Sequence, residues 1–170
     1  MEIMDLYDKN RQPLNETAVR GTALPEGKYR IVVHLCIFNE KDEMLIQQRQ
    51  STKGIFPDLW DITAGGQVSA GETSSQSVER ELSEELGIDI DMSDMRPRFT
   101  MNFSDGFDDV YLIRKNVDIC TVKIQEEEVQ AVKWASETEI LDMIGCGDFI
   151  PYHESYIHLL FNTIDKDGTF

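Results

Sequence analysis

The sequence predicts an α/β fold in which helices cover the faces of one mixed β-sheet. Three observations carry this prediction. Short apolar, β-branched runs of strand length outnumber the helical stretches, they fall on both sides of one well-marked helix, and two further helical stretches follow the last strand. The order is strands, helix, strands, helices, which is not the regular alternation of a βαβ repeat. With 170 residues, 41% hydrophobic and 28% charged, the chain is long and apolar enough for one domain with a real core.

Taken in order, residues 1–28 are polar with scattered Pro and Gly, and read as a loop-rich lead-in with a short hairpin around "YDKNRQPLN". Residues 29–170 read as a single domain. It opens with two apolar runs, 29–38 and 44–49, joined by the polar turn "NEKDE", the pattern of an antiparallel hairpin. A loop carrying Phe56, Pro57 and Trp60 leads to a short strand expected to end before the paired glycines Gly65 and Gly66. A Gly-containing loop then enters a helix over 74–86, with Glu72 near its start, Gly87 as its stop, and Val78, Leu82 and Leu86 on one face. "PRFTMNF", "DDVYLIRKNVDI" and "EVQAVKWAS" read as three strands, "SETEILDMIG" and "YHESYIHLLFNTID" as two helices. Phe56, Trp60 and Trp134, each beside a strand, are expected to pack in the core. His34, His153 and His158 have no metal-ligand spacing and are expected to be structural.

Charge and cysteine content narrow the function. A formal net charge of −16, from 32 acidic and 16 basic residues, repels polyanions, so a nucleic-acid polymer is not expected as a partner. A small phosphorylated substrate requires a divalent cation or a local cluster of Arg and Lys. Cys36, Cys120 and Cys146 are far apart and form no CxxC pair, which argues against both a disulfide framework and a zinc site; Cys36, mid-strand, reads as a small buried apolar residue. The N-terminus has no basic start followed by an apolar run, and no segment approaches the roughly 18 apolar residues that span a bilayer. A cytoplasmic protein with free thiols and no membrane partner is expected.

Chemistry concentrates on the 74–86 helix. Positions i, i+3 and i+4 share a face, so Glu81, Glu84 and Glu85 project together while Val78, Leu82 and Leu86 point to the core. Carboxylates so close repel unless a cation neutralises them. Oxygen ligands select hard cations, Mg²⁺ first and Mn²⁺ second, at a site that shares its coordination with water and substrate phosphates.

The stretch from Gly66 to Ile88 resembles the Nudix box: Gly66, five residues, Glu72, seven residues, then Arg80-Glu81-Leu82-x-Glu84-Glu85-x-Gly87-Ile88. All seven fixed positions and both aliphatic ones are present in a 23-residue frame. The resemblance implies a Nudix fold, an α/β/α sandwich around a mixed β-sheet, and Mg²⁺-dependent hydrolysis of a small-molecule diphosphate linked to another group. By position, Glu81 and Glu85 would be metal ligands, Glu84 a further ligand or the base for the attacking water, and Arg80 their orienting partner. A carbonyl of Gly65 or Gly66 would add a ligand, Glu72 would support, and one of Glu126, Glu127 and Glu128, Glu128 foremost, would supply a carboxylate from outside the box. Family analogy also admits a homodimer.

Residues 32–66 are similar to the equivalent region of isopentenyl diphosphate isomerases, which share this fold and move a double bond. Their Cys-Gly-His-Pro stretch is here Gly65-Gly66-Gln67-Val68, and a second metal histidine position holds Arg30. The catalytic cysteine is therefore missing, while the hydrolase box is complete. The same alignment makes Arg49 and Lys53 candidates for holding the diphosphate and places Asp108 and Asp109 near acidic metal ligands. Hydrolysis is the favoured activity. An isomerase-like enzyme and a non-catalytic diphosphate sensor are the alternatives.

Overall fold

The computed structural model describes residues 2–166 and 168. Strands β1 (Ile3–Tyr7) and β2 (Pro13–Val19) form a separate antiparallel hairpin. Its turn is tied by the Asp8 carboxylate, which accepts from the backbone N–H groups of Asn10 and Gln12, each at 2.8 Å. The hairpin expected at 7–15 is thus present and longer, running from Ile3 to Val19.

The main sheet contains β3 (Arg30–Phe38), β4 (Met44–Arg49), β5 (Trp60–Asp61), β6 (Ala64–Gln67), β7 (Phe99–Phe103), β8 (Gly106–Arg114) and β9 (Val129–Ala135). Its central order is β5-β4-β3-β8-β7, with β6 added to β3 and β9 to β4. The mixed character comes from β3 and β8, which run parallel over nine pairs from Arg30↔Gly106 to Phe38↔Arg114, whereas the other pairings are antiparallel.

The expected 29–49 hairpin holds its strand pairing only at Phe38↔Met44. Beyond that point β3 turns to β6 and β4 to β9, so the sheet splits. Splitting exposes ladder groups that must be satisfied elsewhere. Thr63, fully buried, fills the gap: its hydroxyl accepts from Ile37 N–H at 2.9 Å and donates to the Leu45 carbonyl. The split positions the site, because it frees β6 to lie beside the acidic helix.

Helix α1 (Ser74–Leu86) has the bounds that its sequence signals predict. Thr73 caps it in a reciprocal capping box with Gln76, and Gly87 ends it in the left-handed conformation at φ 62°. Helices α2 (Glu137–Cys146) and α3 (Glu154–Thr163) close the chain. Strand alternation sorts the core into two layers. Ile31, Val33, Leu35 and Ile37 face α1, where Val78, Leu82 and Leu86 are buried, while Cys36 and Phe38 face α2 and α3 through Ile140, Ile157 and Leu160. Each of these large side chains contributes about 1.5–3 kcal/mol by burial. The result is an α/β/α sandwich around a mixed sheet.

Two local expectations fail. Gly65 and Gly66 lie inside β6 rather than after a strand, since their backbones pair with His34 and Val33. Phe56 is not in the core: it is 41% exposed, at φ 52° in the β4–β5 loop. Trp60 is half-buried with Lys133 over its ring, and Trp134 packs against the core.

Candidate active site

The site is built where β6 meets α1. Adjacent strand residues point to opposite faces, and the two glycines serve different neighbours. A Cβ on Gly66 would collide with the carboxylate of Glu81, and one on Gly65 would come within 2.6 Å of the His34 ring and 3.0 Å of the Val33 carbonyl. Gly66 thus lets Glu81 lie flat on the strand, and Gly65 leaves room for His34 on the other side.

Arg80 is the hub. Its Nε and Nη2 reach the two oxygens of Glu72 at 2.9 and 3.1 Å, and Nη1 reaches Glu81 at 3.0 Å and Glu84 at 3.1 Å. Nη2 also donates to the Gln67 carbonyl at 3.3 Å, which ties the helix to β6. Such a planar fork fixes three carboxylates relative to one strand. The Arg80 bonds hold Glu72 below the usual carboxylate range against the opposing effect of burial.

Glu81 and Glu85 behave differently. Burial pushes the Glu81 carboxyl up, and Arg80 only partly offsets this. Burial pushes Glu85 up to about 8, opposed by the amide of Gln47, which donates to it at 2.9 Å, and reinforced by the charges of Glu81, Asp61 and Glu128. Glu81 is buried and Glu85 half-buried, and a cation beside them would favour the charged form of both. The donor set fits a hard divalent ion: carboxylate oxygens from one helix face beside strand backbone with no side chain in the way. The three glutamates do not form a closed cage, since Glu84 is half exposed and held by Arg80. Among the described residues no three His, Cys, Asp or Glu side chains are grouped around a common point.

The remaining candidates are spread over neighbouring elements. The 123–128 segment docks on the end of α1, with Gln125 N–H donating to the Glu85 carbonyl at 2.9 Å and Lys123 N–H to that of Leu86 at 3.0 Å. This brings Glu128 toward Glu85, ion-paired to Lys53, while Glu126 and Glu127 stay exposed. Arg49 donates to the Ile55 carbonyl at 3.1 Å and lies 3.4 Å from Asp61. Asp108 and Asp109 point to opposite faces and away from one another's roles. Asp109, fully buried, is bound by Arg11 of the hairpin and by Thr100. Asp108 pairs with His34 Nδ1 at 2.8 Å, and although burial alone would favour the neutral ring, this partner raises the imidazole pKa.

Sequence reasoning missed Gln47, Asp61 and the His34–Asp108 pair. For Gln47 a signal existed: two glutamines ending the apolar strand "MLIQQR". The other partners are too far apart in sequence to be paired from it.

The NUDIX domain family model matches residues 28–156. An uncharacterized Nudix hydrolase of Listeria monocytogenes is 43% identical over 162 residues, covering 95% of each chain. The crystal structure of DR0079 from Deinococcus radiodurans is similar in fold, with a TM-score of 0.76 at 23% identity over 94% of this chain and 99% of that one. A bifunctional NMN adenylyltransferase/ADP ribose pyrophosphatase from Francisella tularensis, solved with AMP and a manganese ion, has a TM-score of 0.58 at 22% identity over 80% of this chain and 42% of that one. With its complete box folded into the arrangement above, the chain belongs to the Nudix hydrolase family.

Proposed function

We propose that the chain is a Mg²⁺-dependent diphosphohydrolase, cleaving a small organic diphosphate by attack of water on phosphorus. The observation that carries this reading is the Glu81 carboxylate lying against the bare backbone of Gly66, with the half-buried Glu85 one turn on and both carboxyls hard to ionise. When bound there, Mg²⁺ would offset phosphate charge and lower the pKa of a coordinated water. Glu81 and Glu85 would hold it, together with a carbonyl of the Gly65–Gly66 strand and Glu128 from outside the helix. Glu84, the most exposed of the three box glutamates, accepts the proton of the attacking water. Arg80 keeps Glu84 and Glu81 in register, with Glu72 as its anchor. Arg49 and Lys53, at the β4–β5 side, would exchange Asp61 and Glu128 for diphosphate oxygens.

Hydrolysis is favoured over isomerisation by the His34 ring, which fills the space that a side chain at position 65 would need. The Francisella enzyme, named for ADP ribose, makes nucleoside diphosphate derivatives the first compounds to try. Cys36, Cys120 and Cys146 are free, in keeping with a reducing, cytoplasmic setting. The test is release of phosphate or mononucleotide from a panel of nucleoside di- and triphosphates, sugar nucleotides, dinucleotides and isopentenyl diphosphate, with Mg²⁺ and with chelator. Metal-dependent cleavage of one class names the substrate. Tight binding without turnover across the panel would refute the enzyme reading in favour of a sensor, and a double-bond shift in isopentenyl diphosphate would favour the isomerase.

A further inference from the structure

The sheet face opposite α1 carries polar side chains that the hydrolytic centre does not use. On β8, Asp108 shares that face with Val110 and Leu112, which pack in the α2–α3 layer of the core. Its Oδ2 holds His34 Nδ1 at 2.8 Å, while its Oδ1 is buried with no hydrogen-bond partner among the described residues. The hydroxyl of Tyr156, near the start of α3, is in the same condition, on a residue only 9% exposed. Tyr152 links the two: its ring centroid lies 6.1 Å from that of His34 and 5.4 Å from that of Tyr156.

These side chains adjoin the acidic site. The His34 ring takes the place of a side chain at Gly65 as the Glu81 carboxylate does at Gly66, so His34 and Glu81 lie on the two faces of one short strand. From the other direction, the Tyr152 hydroxyl donates to Asp61 Oδ1 at 2.9 Å, and Asp61 Oδ2 is 3.4 Å from Arg49 Nη1. Burying polar atoms without partners is costly, and where they persist a ligand or water completes them. A carboxylate oxygen only accepts, so the group that completes Asp108 Oδ1 carries an N–H or an O–H; a hydrocarbon chain cannot do it.

We propose that Asp108 and Tyr156 read the group attached to the diphosphate, and that this group donates a hydrogen bond, as a nucleobase amine or a sugar hydroxyl does and an isoprenoid chain does not. With the diphosphate between Glu81 and Arg49, the group it carries comes to Asp108 Oδ1, which the bond of Oδ2 to His34 holds in place. That the ligand is a diphosphate rests on the diphosphohydrolase reading; that the attached group is a donor does not.

The test is calorimetric titration, in excess MgCl₂, of AMP, GMP, CMP, UMP, ribose 5-phosphate, glucose 1-phosphate, isopentenyl monophosphate and inorganic pyrophosphate into wild type, Asp108→Asn and Tyr156→Phe, with the melting temperature of each protein. The monophosphates have no anhydride to cleave, so they report binding without turnover. Wild type should bind one of the nucleotides or sugar phosphates at least about tenfold more tightly than isopentenyl monophosphate. Asp108→Asn should weaken that ligand about 10- to 100-fold, as for a hydrogen bond to a charged group, and Tyr156→Phe about two- to tenfold, with pyrophosphate bound alike by all three proteins. A tighter nucleotide than ribose 5-phosphate assigns the donor to the base, and the reverse assigns it to a sugar hydroxyl.

Unchanged nucleotide and sugar phosphate affinities in both variants, the pattern of polar atoms satisfied by buried water alone, would overturn the proposal. So would an equal loss of pyrophosphate, or a wild type that binds isopentenyl monophosphate as tightly as any other compound. If Asp108→Asn does not fold, Tyr156→Phe decides by the same criteria. The expected affinities with no turnover of any compound in the substrate panel would remove the hydrolase and keep the recognition site, and metal-dependent turnover with unchanged affinities would do the reverse.

Discussion

The Glu81 carboxylate occupies the space over Gly66 in which a Cβ would sit. One glycine in a strand and one glutamate in a helix, 15 positions apart in the sequence, thus form a single unit. Gly66→Ala must displace Glu81 from both the strand and Arg80. Metal-dependent turnover is expected to fall about 10- to 100-fold, as when a ligand's support is lost, while far-ultraviolet circular dichroism shows a folded protein. Full activity in Gly66→Ala would mean that Glu81 does not act from this position.

Gly65 and His34 form the corresponding unit on the opposite face. Gly65→Ala is expected to destabilise the fold by about 1–3 kcal/mol through overpacking, measured by urea unfolding. Adding His34→Ala should recover part of that loss, giving a favourable coupling energy in the double-mutant cycle. Additive penalties would show that the ring is not what excludes a side chain at 65.

The Asp109–Arg11 pair governs acid stability. Burial alone would raise the Asp109 pKa, but bonds from Arg11, Thr100 and Ser74 outweigh it and leave the carboxyl below its ordinary 3.8. A folded-state pKa below the unfolded one means stability that is present above about pH 4 and lost as pH falls through the folded value. Asp109→Asn is expected to cost about 1–3 kcal/mol at neutral pH and to flatten the acid limb of a plot of unfolding free energy against pH. An unchanged acid limb would contradict this.

Legibility in the sequence followed the range of the interactions. Helix α1 was readable to the residue because its signals are local: three aliphatics spaced by four and a terminal glycine. Even there the capping residue, Thr73, emerged only from the structure. The box residues were readable because their chemistry is compressed into 23 positions. Arg11 with Asp109, 98 residues apart, His34 with Asp108, 74 apart, and Gln47 with Glu85, 38 apart, were not, since strand register decides them. The paired glycines were assigned to a loop by composition, whereas close approach by Glu81 and His34 is what requires them inside β6. Phe56 was assigned to the core by hydrophobicity, and its left-handed backbone in an exposed loop overrides that.

Burial disfavours the charged form of Glu85. In metal-free protein at pH 7 to 8, Glu85→Gln keeps the shape and removes a carboxyl that burial pushes up to about 8. The variant is expected to be more stable than wild type by about 1–3 kcal/mol in the presence of chelator, as read by thermal melting. Excess Mg²⁺ should raise the wild-type melting temperature and leave that of the variant nearly unmoved. Equal Mg²⁺ shifts in both proteins would place the ion elsewhere.

The most direct test of the account is the steady-state cleavage of the best compound in the substrate panel by wild type and Glu85→Gln, each with Mg²⁺ and with chelator. The account predicts turnover that requires both Mg²⁺ and Glu85, with kcat/KM in the variant reduced by at least about 100-fold. Turnover that survives chelation, or that persists at the wild-type rate in Glu85→Gln, would contradict a metal-dependent hydrolase built on the α1 carboxylates.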